Sequence, residues 1–326
     1  MILKPEITSL YHYQTLTLNT SIQKEIDSRA IRLTDNIILD NYKIDPIKER
    51  TVFYSSPCDF NDLYEGGYKF IISDDSDNKA SQLFFELIDM GKQLGLMNNE
   101  ILEKLNTPFI TADTFKPRWP QFASGLMVMM KNIIGVYCLT PSAKNATMWA
   151  HYADNNQGVV LEFERNETNI CGLESFEINY SQTHPTIDLC TSLNEMLIIG
   201  RAEADFDRMN KLKSSEFRRF IYSKSTDWKY EDEWRTVHGS SGLHKMPGKL
   251  KSIIFGYNTP PEVIEYIKQH IKDVEFKYIK FDKEKYELNV CTEKEYEWHK
   301  YLNNIQSINV PDVEKVKSLM TNPARL

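Results

Sequence analysis

Two short apolar runs, Gly135-Val136-Tyr137-Cys138-Leu139 and Val159-Val160-Leu161-Glu162-Phe163, dictate much of what this chain can become. The first reads as a buried strand, because nearly every position is apolar rather than every second one, and the second as a strand restarted at Gly158. Between them Met148, Trp149 and Tyr152 fall on one helical face. The stretch therefore predicts strand, short helix, strand. Further along, Glu233-Trp234-Arg235-Thr236-Val237-His238 alternates like a strand, and Ser252-Ile253-Ile254-Phe255-Gly256 is a short apolar one. Residues 274–281 alternate over a full strand, and Tyr286 to Val290 offers it a partner. Thr259-Pro260-Pro261-Glu262 predicts a helix start, with Thr259 as cap and Glu262 closing a capping box.

Helical spacing also marks residues 22–29, 81–92, 191–224, the stretch after Glu293, and 313–320. Asp74-Asp75-Ser76-Asp77-Asn78 and the proline-bearing 107–120 read as loops. Strands and helices are mixed without strict βαβα order, which favours α+β over a doubly wound sheet. The expected organisation is one α+β catalytic-type domain over residues 1–290. Helical insertions fall at about 75–130 and 190–224, and 291–326 forms a C-terminal helical extension.

The chain of 326 residues has a net charge of −7, so it is not a general polyanion binder. Its five cysteines are scattered, with no C-x-x-C pair and no zinc spacing, and read as reduced thiols in a cytoplasmic protein. The N-terminal stretch Met1 to Leu10 is expected not to be a signal peptide, and no apolar stretch is long enough to span a bilayer. There is no P-loop, G-x-G-x-x-G, H-E-x-x-H or G-x-S-x-G motif, which removes the familiar NTPase, Rossmann, zinc-protease and α/β-hydrolase readings.

Three segments could carry chemistry. In Tyr11-His12-Tyr13, a histidine held between aromatics could bond a ribose or phosphate; alternatively it packs beside the tyrosine rings. Tyr137, Trp149 and Tyr152 could stack on a heterocycle or be plain core. In Trp228-Lys229-Tyr230-Glu231-Asp232-Glu233-Trp234-Arg235, a strand would point Glu231 and Glu233 to one face. Two close carboxylates would then push one pKa up and divide acid and base roles. The alternative is an exposed acidic turn with Arg235 as ion-pair partner. The flanking aromatics argue for partial burial. The basic stretch from Arg208 to Lys224 reads as a solvated helix face or a local nucleic-acid contact.

Together these segments resemble a bacterial family named domain of unknown function 2971. The resemblance rests on Leu10-Tyr11-His12-Tyr13, on Tyr54-Ser55-Ser56-Pro57 with Phe60-Asn61-Asp62, on Met148-Trp149-Ala150-His151-Tyr152-Ala153 running to Phe163, and on Trp228 with Tyr230-Glu231-Asp232-Glu233-Trp234-Arg235. A further resemblance is to the ADP-ribosyltransferases, whose order is a first-strand His or Arg, a middle-strand Tyr or Ser with a later aromatic, and a late-strand Glu. His12, Tyr137 with Trp149 or Tyr152, and Glu233 follow that order, and Glu231-Asp232-Glu233 has the E-x-E form.

The resemblance implies a split mixed or antiparallel sheet core with peripheral helices, and NAD as a consumed substrate without a metal. Glu233 would stabilise the oxocarbenium-like ribose and orient or deprotonate the acceptor, Glu231 would position the acceptor, and His12 would hold the adenosine-side ribose. Tyr11, Tyr13, Tyr137, Thr140, Trp149 and Tyr152 would contact NAD. The acceptor would be a protein or nucleic acid, and a toxin or anti-phage role with an inhibitory partner protein is the implied setting. The rival readings are an NAD glycohydrolase, a metal-dependent nuclease using Glu162, Asp232, Glu233 and Lys224 or Lys229, and a non-catalytic module binding through residues 228–234.

Overall fold

The computed structural model describes residues 3–17, 30–34, 36–71, 77–93, 128, 131–132, 134–200 and 216–308. The expected helices at 22–29 and 313–320, the loop at 107–120, and Asp74 to Ser76 lie outside them. The fold is mixed α+β, as the sequence pattern requires. It divides into two compact units. One holds the described residues within Val52–Leu139 and Ile170–Lys245, and the other those within Lys4–Thr51, Thr140–Asn169 and Met246–Leu326.

The second unit, here the sheet unit, is built on a five-stranded sheet. Its order is Ser9–Gln14, Val159–Glu164, Leu250–Phe255, Glu275–Phe281 and Leu288–Cys291. All neighbours are antiparallel except the Leu250–Phe255 and Glu275–Phe281 pair. That parallel pair needs a crossover, which the helix Pro261–His270 supplies. Val159–Glu164 is an interior strand buried on both faces, which is why its sequence is mostly apolar without alternation. On one face Tyr13, Val160, Ile254 and Ile279 pack against Trp149 and Ala153.

The expected alternation of 275–281 is lost in the middle, where Tyr278 and Ile279 are both buried. Each face has its own cover. Ile279 joins the Trp149 cluster, while Tyr278 stacks at 4.7 Å on Tyr296 of the helix Glu293–Ile308. Thr259 does not cap its helix: its hydroxyl donates to the Gly158 carbonyl at 3.0 Å, and Pro260 takes the cap position with no side-chain bond. Asp154, Asn155 and Asn156 all have positive φ, a conformation these residue types tolerate best, and the Asn156 carbonyl then sits where a Cβ on Gly256 would lie 2.2 Å away. A longer side chain has no room there.

The first unit, here the cleft unit, contains the antiparallel strands Gly135–Leu139, Trp234–His238 and Ser175–Glu177, with Trp234–His238 in the middle. Ser223–Ser225 runs parallel to Asn179–Ser181, and Thr186–Asp188 parallel to Lys69–Ile71. Ile134, Val136, Ile187, Phe220, Ile221 and Val237 form its core. The helical pattern expected over 191–224 resolves into helices Leu189–Gly200 and Glu216–Ile221 and then a strand, with 201–215 outside the described residues. Asp77–Gln93 forms the helix expected over 81–92.

Candidate functional site

The acidic segment is where local sequence and tertiary structure meet. Ser225 caps a 3-10 helix, Thr226–Glu231, by accepting from the Asp227 N–H. Asp232 then turns the chain with φ 45, and the strand Trp234–His238 follows. Glu231 and Glu233 therefore do not share a face by strand alternation, as the sequence pattern suggested. The turn at Asp232 brings both carboxylates to the same amine instead. Lys224 Nζ donates to Glu231 Oε2 at 2.5 Å and to Glu233 Oε2 at 3.1 Å, and lies 4.7 Å from the Trp228 ring centroid. Trp228 and Tyr230 are half-buried, as their aromatic character required.

Arg235 completes the cluster. Its guanidinium is 0% exposed and donates through Nε to Glu233 Oε1 at 2.6 Å and through Nη2 to Glu233 Oε2 at 3.2 Å. Nη1 and Nη2 hold Glu65 in a two-point pair at 2.6 and 2.8 Å, and Nη1 also reaches the Ile221 carbonyl at 2.6 Å. The Glu233 N–H donates to Tyr180 Oη at 2.8 Å, and the Cys138 thiol bonds the Glu233 carboxylate. Sequence reasoning missed Glu65 and Tyr180. Neither carries a local signal, and Glu65 is 170 positions from its partner.

Glu65, Glu231 and Glu233 set three carboxylates against the two buried cations Lys224 and Arg235, with the Lys131 ammonium on the Glu65 backbone carbonyl. Burial alone would raise the Glu233 pKa, but Arg235 and Lys224 outweigh it and hold the carboxyl at about 2. The expectation that close carboxylates push one pKa up thus fails for Glu233, because cations stand between the acids. Lys224 is raised above its ordinary value: burial opposes its charge, and Glu233 and Glu231 overcome that. It is not part of a solvated basic face. Arg218 lies 4.1 Å from the Phe176 ring centroid, Arg219 is exposed, and Arg208 is outside the described residues.

Lys224 also lines a cleft of about 140 Å³ with Ser181, Thr183, His184, Ser223 and Ser225. Hydroxyls and an imidazole are groups that bind a polyhydroxylated or heterocyclic ligand by hydrogen bonds.

The sheet unit holds a second buried carboxylate, Glu162. Ser9 and Ser252 donate to it at 2.9 and 2.5 Å, and Lys251 and Lys277 pair with it at 3.0 and 2.9 Å. Adjacent residues 251 and 252 reach one carboxylate because the strand is irregular between Leu250 and Ser252. Burial would raise Glu162, and these four donors bring it down to about 2.

The remaining candidates divide between the units. His12, Tyr11, Tyr13, Thr140, Trp149 and Tyr152 belong to the sheet unit, and Tyr137, Glu231 and Glu233 to the cleft unit. Tyr11 and Thr140 exchange backbone hydrogen bonds. Tyr13 meets Trp149 edge-on at 5.3 Å, and Trp149 is 0% exposed with its Nε1 donating to the Ala143 carbonyl. Tyr137 is buried beside Tyr54 at 5.5 Å. Tyr13, Tyr137 and Trp149 are therefore core residues, whereas Tyr11, His12 and Tyr152 keep partial exposure. Asp232 is exposed and Lys229 likewise, away from the paired charges.

Residues 148–236 match one family model. The family is DUF2971, described as a protein of unknown function. The DUF2971 match spans Trp149, Glu162, Lys224, Glu231, Glu233 and Arg235, while Glu65 and Cys138 precede it. No curated protein and no solved structure matches the chain. Among the described residues, no helix is long and apolar enough to cross a membrane.

Proposed function

We propose that this protein consumes NAD, breaking the nicotinamide–ribose bond and passing ADP-ribose to an acceptor. One observation carries the reading: an ionised, fully paired Glu233 in a buried cluster of three carboxylates, joined through Lys224 to a hydroxyl-lined cleft. Heterolysis of that bond sends the electron pair to nicotinamide and leaves positive charge on the ribose. A preorganised negative field in a water-poor site stabilises such charge at no reorganisation cost. With a pKa of about 2, Glu233 is a poor proton acceptor, so its contribution is electrostatic rather than general-base. The acceptor forms the new bond at the ribose carbon and its proton leaves to solvent or another base.

The test is nicotinamide release from NAD by the full chain, with protein lysate and nucleic acid supplied as acceptors. Release by the wild type, with Glu233→Gln slower by about 100-fold or more, supports the proposal. Free ADP-ribose would identify water as the acceptor, and label on a macromolecule would identify a transferase. No release under any of these conditions sinks it. His12→Ala, measured alongside, tests the ribose role that the resemblance assigns to that residue.

A further inference from the structure

We infer that Glu65 is a positioning residue, acting on Glu233 through Arg235. The inference rests on the NAD reading for its catalytic consequence, and on geometry alone for the contact. A guanidinium has five N–H donors and no acceptor. In Arg235 every one has a buried partner: Nε to Glu233, Nη1 to Glu65 and the Ile221 carbonyl, Nη2 to Glu65 and Glu233. Glu65 supplies two of these five acceptors. The guanidinium plane cannot rotate without breaking bonds that water cannot replace, so the Glu233 carboxylate is held to one orientation.

The chain also builds a dedicated turn to deliver Glu65. Asp62 Oδ1 accepts from the Tyr64 N–H at 2.9 Å, and the Glu65 N–H donates to the Asp62 carbonyl at 3.1 Å. Lys131 Nζ donates to the Glu65 carbonyl at 2.5 Å. Gly66 has φ +60, where an L side chain is strained, and a Cβ there would crowd Lys131 Cε at 2.6 Å and Phe220 Cε2 at 2.9 Å. The Phe60 ring lies 5.3 Å from the Arg235 guanidinium. Asp62 thus shapes the approach of Glu65, and Phe60 faces the guanidinium that Glu65 holds. Electrostatically, Glu65 provides the third carboxylate of the cluster.

Glu65→Gln keeps the size, removes the charge and turns one acceptor into a donor facing Arg235. Arginine Nε–H exchange, read by NMR on protein labelled at arginine Nε, is expected to quicken at Arg235 by about tenfold or more. In nicotinamide release, Glu65→Gln is expected to lower kcat by about 100-fold with KM within about threefold, and Glu65→Asp to recover part of the loss. Glu162→Gln, in the other unit, controls for general destabilisation and is expected to leave kcat unchanged. Unchanged Arg235 exchange in Glu65→Gln overturns the inference whatever the activity. Quickened exchange with unaltered kcat overturns the catalytic part. Quickened exchange in a protein whose wild type releases no nicotinamide overturns the NAD reading and leaves the hold of Glu65 on Arg235 standing. Should Glu65→Gln fail to fold, Glu65→Asp carries both measurements: a kcat equal to wild type with unchanged Arg235 exchange overturns the inference.

Discussion

Glu233 and Glu162 are both nearly buried and both held at about 2, yet their surroundings differ in kind. Glu233 is paired with cations that are themselves buried, Arg235 and Lys224, inside a cluster of three carboxylates. Glu162 is paired with Lys251 and Lys277, whose side chains stay 41% and 24% exposed, and its remaining acceptors go to two serines. The Glu162 lysines keep contact with water, so their charges can be resolvated when the pair is broken. Arg235 has no such retreat. The lesson is that equal pKa values can hide unequal commitments. One cluster neutralises a carboxylate with partly exposed lysines, while the other binds three carboxylates to buried cations.

The sharpest way to break the comparison is to remove the confined cation. Arg235→Met would leave Glu65 and Glu233 buried with too few partners, and is expected to cost about 3–5 kcal/mol in urea unfolding. Glu162→Gln retains shape and one acceptor, and its lysines turn to solvent, so about 1–3 kcal/mol is expected by the same measurement. A Glu162→Gln cost equal to that of Arg235→Met would erase the distinction drawn between the two sites.

Acid sharpens it further. Both carboxylates are depressed below their ordinary value of 4.5, so the unfolded chain binds protons that the folded one refuses. The stability they contribute is present above 4.5 and is lost as pH falls toward about 2. The urea midpoint should therefore drop through that window, and Glu162→Gln should flatten the drop without abolishing it, since Glu233 still titrates. A midpoint independent of pH there would refute both assignments. The smallest effect belongs to Lys251→Met: with its side chain 41% exposed, the expected change is below about 1 kcal/mol, read from the same unfolding curves.

Much of this was legible in the sequence, for identifiable reasons. The mostly apolar run at 159–163 announced a strand, and the Met148, Trp149, Tyr152 spacing announced the helix Ala146–Tyr152. The aromatics around Glu231 and Glu233 announced a buried rather than solvated acidic segment. Local rules failed where a distant group competed. The Thr259 hydroxyl went to Gly158 instead of capping a helix, and Lys224 left its basic neighbours for two carboxylates.

Periodicity reports which positions lose water, because burial imposes a repeat on the residues next to one another along the chain. The sequence alone therefore determined the α+β class, the main strands and the partial burial of the aromatics beside the acidic segment. Which charge meets which is a different matter. The pairing of Glu65 with Arg235, the meeting of Lys251 and Ser252 on Glu162, and the convergence of Glu231 and Glu233 on Lys224 depend on strand register, one αL residue and one irregular strand. Only the tertiary structure decided those, since Coulombic and hydrogen-bond energies depend on distance in space and leave no repeat along the chain.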